Sequence, residues 1–238
     1  IYQNNQGTSF TAVAHTLQGL TDGDLAALAY NRDGLTDLVL MGINGAGINT
    51  TALYRNDGNF GFTEISSGFA GLAFGEIATA DYNEDGFTDV FLTGLDNSSN
   101  RVAILYRNAA GVFINSGETF YPVESSSVAF GDLTNSGRTD IVLAGSSDLG
   151  DTTMVYVSDG SYAYTNVVAG PSNVILPDVA LADFNTDAVL DLYVTGFNLL
   201  LNNDINELLS NEETIDNLPP AAPTGLSSTT NEDSVFLS

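Results

Sequence analysis

Asp81-Tyr82-Asn83-Glu84-Asp85-Gly86-Phe87-Thr88-Asp89 is the fullest of four related nine-residue phrases in the chain. The others occupy 29–37 (AYNRDGLTD), 132–140 (DLTNSGRTD) and 183–191 (DFNTDAVLD), so the starts at 29, 81, 132 and 183 are spaced by 52, 51 and 51 residues. A constant period of this size marks one supersecondary unit stacked on itself. The phrase therefore bears on architecture and on chemistry together.

Each phrase sits in the same surroundings. A strand rich in small residues precedes it, at 76–80 in the second unit and 179–182 in the fourth. A nearly continuous apolar run closed by Gly follows it: LVLMG (38–42), VFLTG (90–94), IVLAG (141–145) and LYVTG (192–196). Apolar residues at consecutive positions indicate a strand covered on both faces. A third strand comes next (52–56, 104–108, 154–158), then a weaker fourth (62–66, 112–116, 163–167). Their β-branched and aromatic content, punctuated by Asn, Asp and Gly, supports strands over helices. Four antiparallel strands per repeat with buried inner strands describe a blade of a β-propeller. A parallel β-helix would need a much shorter period, and a β-sandwich would not repeat so regularly. The expected fold is all-β, with about four blades belonging to a larger propeller.

The phrase offers oxygen ligands. Calcium takes six to eight hard oxygens in a flexible cage. In the second copy Asp81, Asn83, Asp85 and Asp89 present side-chain oxygens at positions 1, 3, 5 and 9, and Phe87 presents a backbone carbonyl at position 7. Gly86 permits the sharp turn that gathers alternate residues. An EF-hand would add a bidentate Glu at position 12 and flanking helices. Here position 12 is Leu40, Leu92, Leu143 or Val194, inside an apolar run, so that alternative fails.

A short loop closed by Asp at its ninth position, between strands, resembles the FG-GAP repeat, also called the VCBS repeat. Integrin alpha-subunits and many secreted bacterial proteins carry it. Phe130-Gly131 before the third loop and Ala144-Gly145 after it loosely echo the motif that names the family. The resemblance covers residues 1 to about 211. It implies blades of a seven-bladed propeller, with calcium in the hairpin between the first and second strands.

The copies are unequal. The fourth keeps Asp183, Asn185, Asp187 and Asp191 with Val189 at position 7, but Ala188 replaces Gly and strains any positive-φ turn. The first keeps Asn31, Asp33, Leu35 and Asp37 but has Ala29 in place of the first carboxylate. The third keeps Asp132 and Asp140, with the weaker ligands Thr134 and Ser136 between them. The expected order of calcium occupancy is second, fourth, first, third. For each loop the competing reading is a metal-free Asx turn, in which the same side chains bond local backbone.

Composition narrows the function. The chain has 238 residues, 43% hydrophobic, enough for a sizeable core. Five Lys+Arg against 30 Asp+Glu give a formal net charge of −25, which repels nucleic acid and anionic membranes. Solubility, or adaptation to salty surroundings, is the competing reading of this acidity. Ten of the acidic residues stand at candidate ligand positions, so bound cations would relieve repulsion and stabilise the fold. The absence of Cys excludes thiolate zinc sites, a thiol nucleophile and disulfides. No apolar run reaches 18 residues, so no membrane insertion is expected. The chain lacks an initiator Met and opens inside a repeat, since Ile1-Tyr2-Gln3-Asn4 matches Leu53-Tyr54-Arg55-Asn56, and it reads as a piece of a longer precursor. The opening strands would either complete the last blade and close a small ring of four or leave open edges prone to self-association. Residues 212–222 form a Pro-rich linker, and 223–238 resemble the start of a fibronectin type III domain.

No nucleophile paired with a base, phosphate-cradling loop or hydrolase elbow is visible. His15, the single histidine, lies in a strand-like segment and reads as structural. Asn49-Thr50-Thr51 and Asn97-Ser98-Ser99 fit the glycosylation sequon at about the rate expected by chance. The sequence thus points to a non-catalytic, calcium-binding extracellular propeller used in adhesion or in protein or glycan recognition. A spacer, or an accessory to a secreted polysaccharide-degrading enzyme, is the alternative. The partner surface is expected opposite the calcium loops, formed by 43–51, 95–101, 146–153 and 197–206 with 66–75, 117–126 and 168–177. That placement follows from integrin analogy.

Overall fold

The computed structural model describes residues 1–148, 150–169, 174–198, 203–211, 228–231 and 234–237. Every regular element among them is a strand, and every pairing is antiparallel. A short hairpin, β1 (Tyr2–Asn4) with β2 (Phe10–Ala12), comes first. Blade one is β3 (Thr21–Leu28), β4 (Asp37–Ile43), β5 (Asn49–Gly58) and β6 (Gly61–Ile65). Blade two is β7 (Ile77–Ala80), β8 (Asp89–Leu95), β9 (Arg101–Asn108) and β10 (Phe113–Asn115). Blade three is β11 (Glu124–Gly131), β12 (Asp140–Ser147), β13 (Gly150–Ser158) and β14 (Tyr164–Ala169). The fourth sheet has three strands, β15 (Ile175–Ala182), β16 (Asp191–Asn198) and β17 (Asn203–Leu209), and a final hairpin pairs β18 (Ser228–Asn231) with β19 (Ser234–Leu237). The first three blades are the four-stranded antiparallel sheets of a propeller.

The second strand of each blade explains the continuous apolar runs. In β8, Val90 and Leu92 join a core shared with Val39, Met41 and Leu53 of blade one. Phe91, between them, faces the other way into a core shared with Ile141, Leu143 and Tyr156 of blade three. In β12 the roles repeat, and Val142 and Ala144 pack with Leu192 and Val194 of the fourth sheet. Successive side chains of a strand point to opposite faces, so a sheet wedged between two others must be apolar at every position. Removing any one of these side chains would leave a cavity between two blades rather than inside one.

The innermost strands carry a matching irregularity. Asp22, Phe74, Ser125 and Leu176 have φ of 51°, 57°, 45° and 48°, and the register slips beside three of them. Gly75 follows Phe74 because the backbone approaches closely: a β-carbon there would lie 2.2 Å from the Thr93 carbonyl oxygen. Bulge backbones bond from blade to blade, with Phe74 N–H donating to Asp22 O at 2.8 Å and Ser125 N–H to Phe74 O at 2.7 Å. Side chains repeat the link: Asp24 Oδ2 accepts from Ile77 N (2.9 Å), Glu76 Oε2 from Val128 N (2.6 Å) and Ser127 Oγ from Val179 N (3.3 Å).

Several expectations need correcting. Hairpin β1–β2 pairs with no other strand, so the described residues do not form a small ring closed by the opening strands. In the fourth sheet 203–206 are strand rather than loop, as are 150–153 in the third. Polar Asn203, Asp204, Asn206 and Glu207 hid β17 from a hydrophobic reading, although Ile205 is buried. His15 is exposed and lies beyond the end of β2, outside any strand. Of the tail, the linker at 212–222 and residues 223–227 lie outside the described residues, and the β18–β19 hairpin is what is described beyond them.

Candidate metal centres

The four phrases form loops with one backbone path. Position 4 is left-handed in each, with Arg32, Glu84, Asn135 and Thr186 at φ of 58°, 57°, 52° and 66°. Position 6 is left-handed too, at 85° for Gly34, 84° for Gly86 and 79° for Gly137. Ala188 adopts 70° at this place in the fourth loop, the strained conformation foreseen for a residue with a β-carbon.

In the second loop, position 1 embraces the turn. Asp81 Oδ1 accepts from Asp85 N at 3.1 Å and Oδ2 from Gly86 N at 2.8 Å. Asn83 Oδ1 meets the same Asp85 N–H at 3.1 Å, which draws the oxygens of positions 1 and 3 together. Asp85 Oδ1 accepts from Phe87 N at 2.9 Å. The fourth loop reproduces this set: Asp183 takes Asp187 N and Ala188 N, Asn185 Oδ1 takes Asp187 N, and Asp187 takes Val189 N. In the first loop Ala29 contributes no carboxylate, and the Asn31 amide donates to Asp33 at 2.7 Å. In the third, Asp132 spans Ser136 N and Gly137 N, while the Thr134 hydroxyl is turned to Ser136 Oγ.

Position 9 does something the sequence did not disclose. Asp37, Asp89, Asp140 and Asp191 are at most 1% exposed. One oxygen of each accepts the backbone N–H of position 2: Tyr30, Tyr82, Leu133 or Phe184. The other accepts an N–H at the end of the third strand or just past it: Asn56, Asn108, Ser158 or Asn211. This carboxylate therefore braces the loop against its own blade, whatever else it binds. Burial pushes the Asp89 carboxyl up to about 7, with the charges of Asp85 and Asp81 adding to the rise. Burial likewise raises Asp37.

Two recurrent residues of the third strand complete the frame. Tyr54, Tyr106 and Tyr156 hydroxyls accept backbone N–H bonds from Gln18, Ala70 and Tyr121, fixing the chain that enters each blade. Two residues after Tyr106, Asn108 donates from its amide to Tyr30 O at 2.8 Å, in the loop of the preceding blade. Asn211 does the same to Leu133 O at 2.6 Å. Ser158 holds this place in blade three, too short to reach, and its buried hydroxyl has no partner among the described residues. The recurring Tyr-x-Asn was visible at 2–4, 54–56 and 106–108, but a repeated pair of polar groups in a strand does not reveal what it bonds.

The family model for the FG-GAP-like repeat matches residues 30–92 and again 81–143. The chain contains FG-GAP-like repeats. Each matched stretch runs from one acidic loop into the apolar second strand of the next blade, and the two overlap on the loop at 81–89. No curated protein matches the chain.

Calcium fits the acidic loops by donor chemistry in two of four cases. The second and fourth supply carboxylate and amide oxygens at positions 1, 3 and 5 around one turn, and none of the ion pairs among the described residues involves a loop carboxylate. The first lacks the carboxylate of position 1, and the third offers hydroxyls already bonded to each other. Among the described residues no three carboxylates or imidazoles converge as a preformed metal group. The oxygens rest on backbone N–H groups instead, which is the Asx-turn arrangement.

Proposed function

We propose that this chain is a calcium-binding, non-catalytic propeller module of a secreted or cell-surface protein that recognises a protein or glycan partner. FG-GAP repeats are typical of extracellular and adhesion-type modules. The observation that carries the calcium reading is the second loop. Asp81 and Asn83 share the Asp85 N–H and Asp85 accepts from Phe87 N, so all three side chains stand on one turn without a cationic side chain ion-paired to them. Hard anionic oxygens held near one another suit a divalent cation that takes oxygen ligands. Asp81, Asn83 and Asp85 with the Phe87 carbonyl and Asp89 would hold it, and the fourth loop would use Asp183, Asn185, Asp187, Val189 and Asp191.

For a protein partner the face opposite the loops is the natural surface. Its turns are stitched across blades: Asn49 N–H donates to Asn97 Oδ1 at 2.8 Å, and Asn97 Nδ2 returns a bond to Asn49 O at 2.9 Å. Asn49 Nδ2 also donates to Leu95 O and Asp96 O, so a glycan on that nitrogen would break the stitch. Arg101 joins Glu124 and Asp148 on the same face. Such turns make a rigid platform. The test is calcium titration followed by thermal unfolding and calorimetry: the midpoint should rise with calcium, and Asp85→Ala should reduce that rise to the share of the fourth loop. An unchanged midpoint at millimolar calcium would overturn the reading.

A further inference from the structure

A cavity lies beside the second acidic loop, between blades two and three, rather than on the opposite face. It is an open cleft of about 690 Å³, within the roughly 300–1,000 Å³ of small-ligand sites. Its inner wall is Tyr82, at position 2 of the loop, whose ring meets Tyr162 edge-on at 6.3 Å and Tyr164 at 6.1 Å. Tyr162 belongs to the turn between β13 and β14 and is 41% exposed. It holds φ of 65°, a conformation costly for a bulky residue and one that persists where the surroundings require it. The remaining wall adds Ile114 and a mixed set of polar groups: Arg107 only donates, Glu118 only accepts, and Asn83 and Asn115 do both.

We propose that this cleft binds a neutral saccharide, stacked on Tyr162 and hydrogen-bonded by Arg107, Asn115 and Glu118. Hydroxyls donate and accept at once, so a polyol can use donors and acceptors side by side. An anionic ligand would face Glu84, Asp85 and Glu118 and the field of a chain carrying −25. A cationic ligand would meet the Arg107 guanidinium. Amphipathic aromatic rings give the apolar C–H face of a sugar a matching surface. The inference rests on the recognition reading above and assigns that role a second surface, on the loop side of the propeller.

The test is saturation-transfer NMR on the calcium-saturated protein with cellobiose, lactose and chitobiose at millimolar concentration. At least one should receive saturation at its ring C–H protons. Tyr162→Ser and Asn115→Ala should each weaken its binding, the former at least about tenfold, as expected for a central aromatic anchor. Tyr2→Ser, 70% exposed on the opening hairpin, should not change it. Absence of transfer from all three sugars, binding unchanged by both cleft variants, or displacement of the sugar by trilysine with higher affinity than the sugar's own would each overturn the proposal. The calcium-induced rise in unfolding midpoint, measured on the same samples, reports separately on the calcium reading. A protein that passes it and binds no sugar refutes the cleft alone.

Discussion

Asp140→Ala separates the bracing role of the ninth position from any role in holding a metal. The third loop is the poorest calcium candidate, yet Asp140 is fully buried and accepts from Leu133 N at 3.0 Å, Thr134 N at 3.2 Å and Ser158 N at 2.9 Å. Truncation leaves the Leu133 and Ser158 N–H groups buried and unpaired. Each such group costs about 1–3 kcal/mol, so the loss is roughly 2–6 kcal/mol. Against a total stability on the order of 5–15 kcal/mol this is severe. Asp140→Asn keeps one acceptor oxygen and should lose about half as much. Urea unfolding, run once in calcium and once in chelator, measures both variants. The expected result is the same loss in the two conditions. A cost below about 0.5 kcal/mol in both conditions would refute the brace, and a cost confined to calcium would refute it and return Asp140 to the list of metal ligands.

Further expectations concern other parts of the frame. Asp85→Ala should lower the unfolding midpoint in calcium but change it by less than about 1 kcal/mol in chelator, since the one bond it loses, to Phe87 N, is exposed. Glu76 is pushed up to about 7 by burial, against the Val128 N–H that favours its charge, with Asp24 adding to the rise. Its folded form thus retains a proton that the unfolded chain releases near 4.5, so stability is greatest below that pH and falls as pH climbs through 7, by roughly 3 kcal/mol. Glu76→Gln should flatten that slope in a series of urea melts in chelator from pH 4.5 to 8. Gly75→Ala forces a β-carbon against the Thr93 carbonyl and should cost about 1–3 kcal/mol or more by thermal melting. Asn108→Ser copies the blade-three arrangement into blade two and should cost about 1–2 kcal/mol by the same measurement.

The sequence showed the blades clearly because their strongest signals are local and repeated. VFLTG and IVLAG read as doubly covered strands, and the structure wedges them between neighbouring sheets, as consecutive apolar residues require. Strand β17 escaped because its inward positions are sparse, with Ile205 the buried hydrophobic residue among Asn, Asp and Glu. At the loops, the alternation of Asp and Asn was legible and the strain at Ala188 was foreseeable from its β-carbon. The brace was not, because a buried Asp bonded to an N–H some twenty residues later looks in sequence like any other ligand carboxylate. The cleft was equally invisible. Tyr82 and Tyr162 stand eighty residues apart in different repeats, and only the packing of two blades brings their rings together.

The inner-strand bonds that cross from one blade to the next share a direction as well as a period. Inner-strand N–H groups of a later blade donate to the blade before it, over separations of 51 to 53 residues, from Phe74 to Asp22, Ile77 to Asp24, Ser125 to Phe74 and Val128 to Glu76. Along the inner strands each of these junctions is thus written in the same grammar, with a donor on one flank and an acceptor on the other. Excising or duplicating one whole unit in the gene would bring like flank to unlike flank and leave the new seam chemically matched. Blade number can drift in such a lineage by whole steps, without any residue needing to be reinvented at the splice.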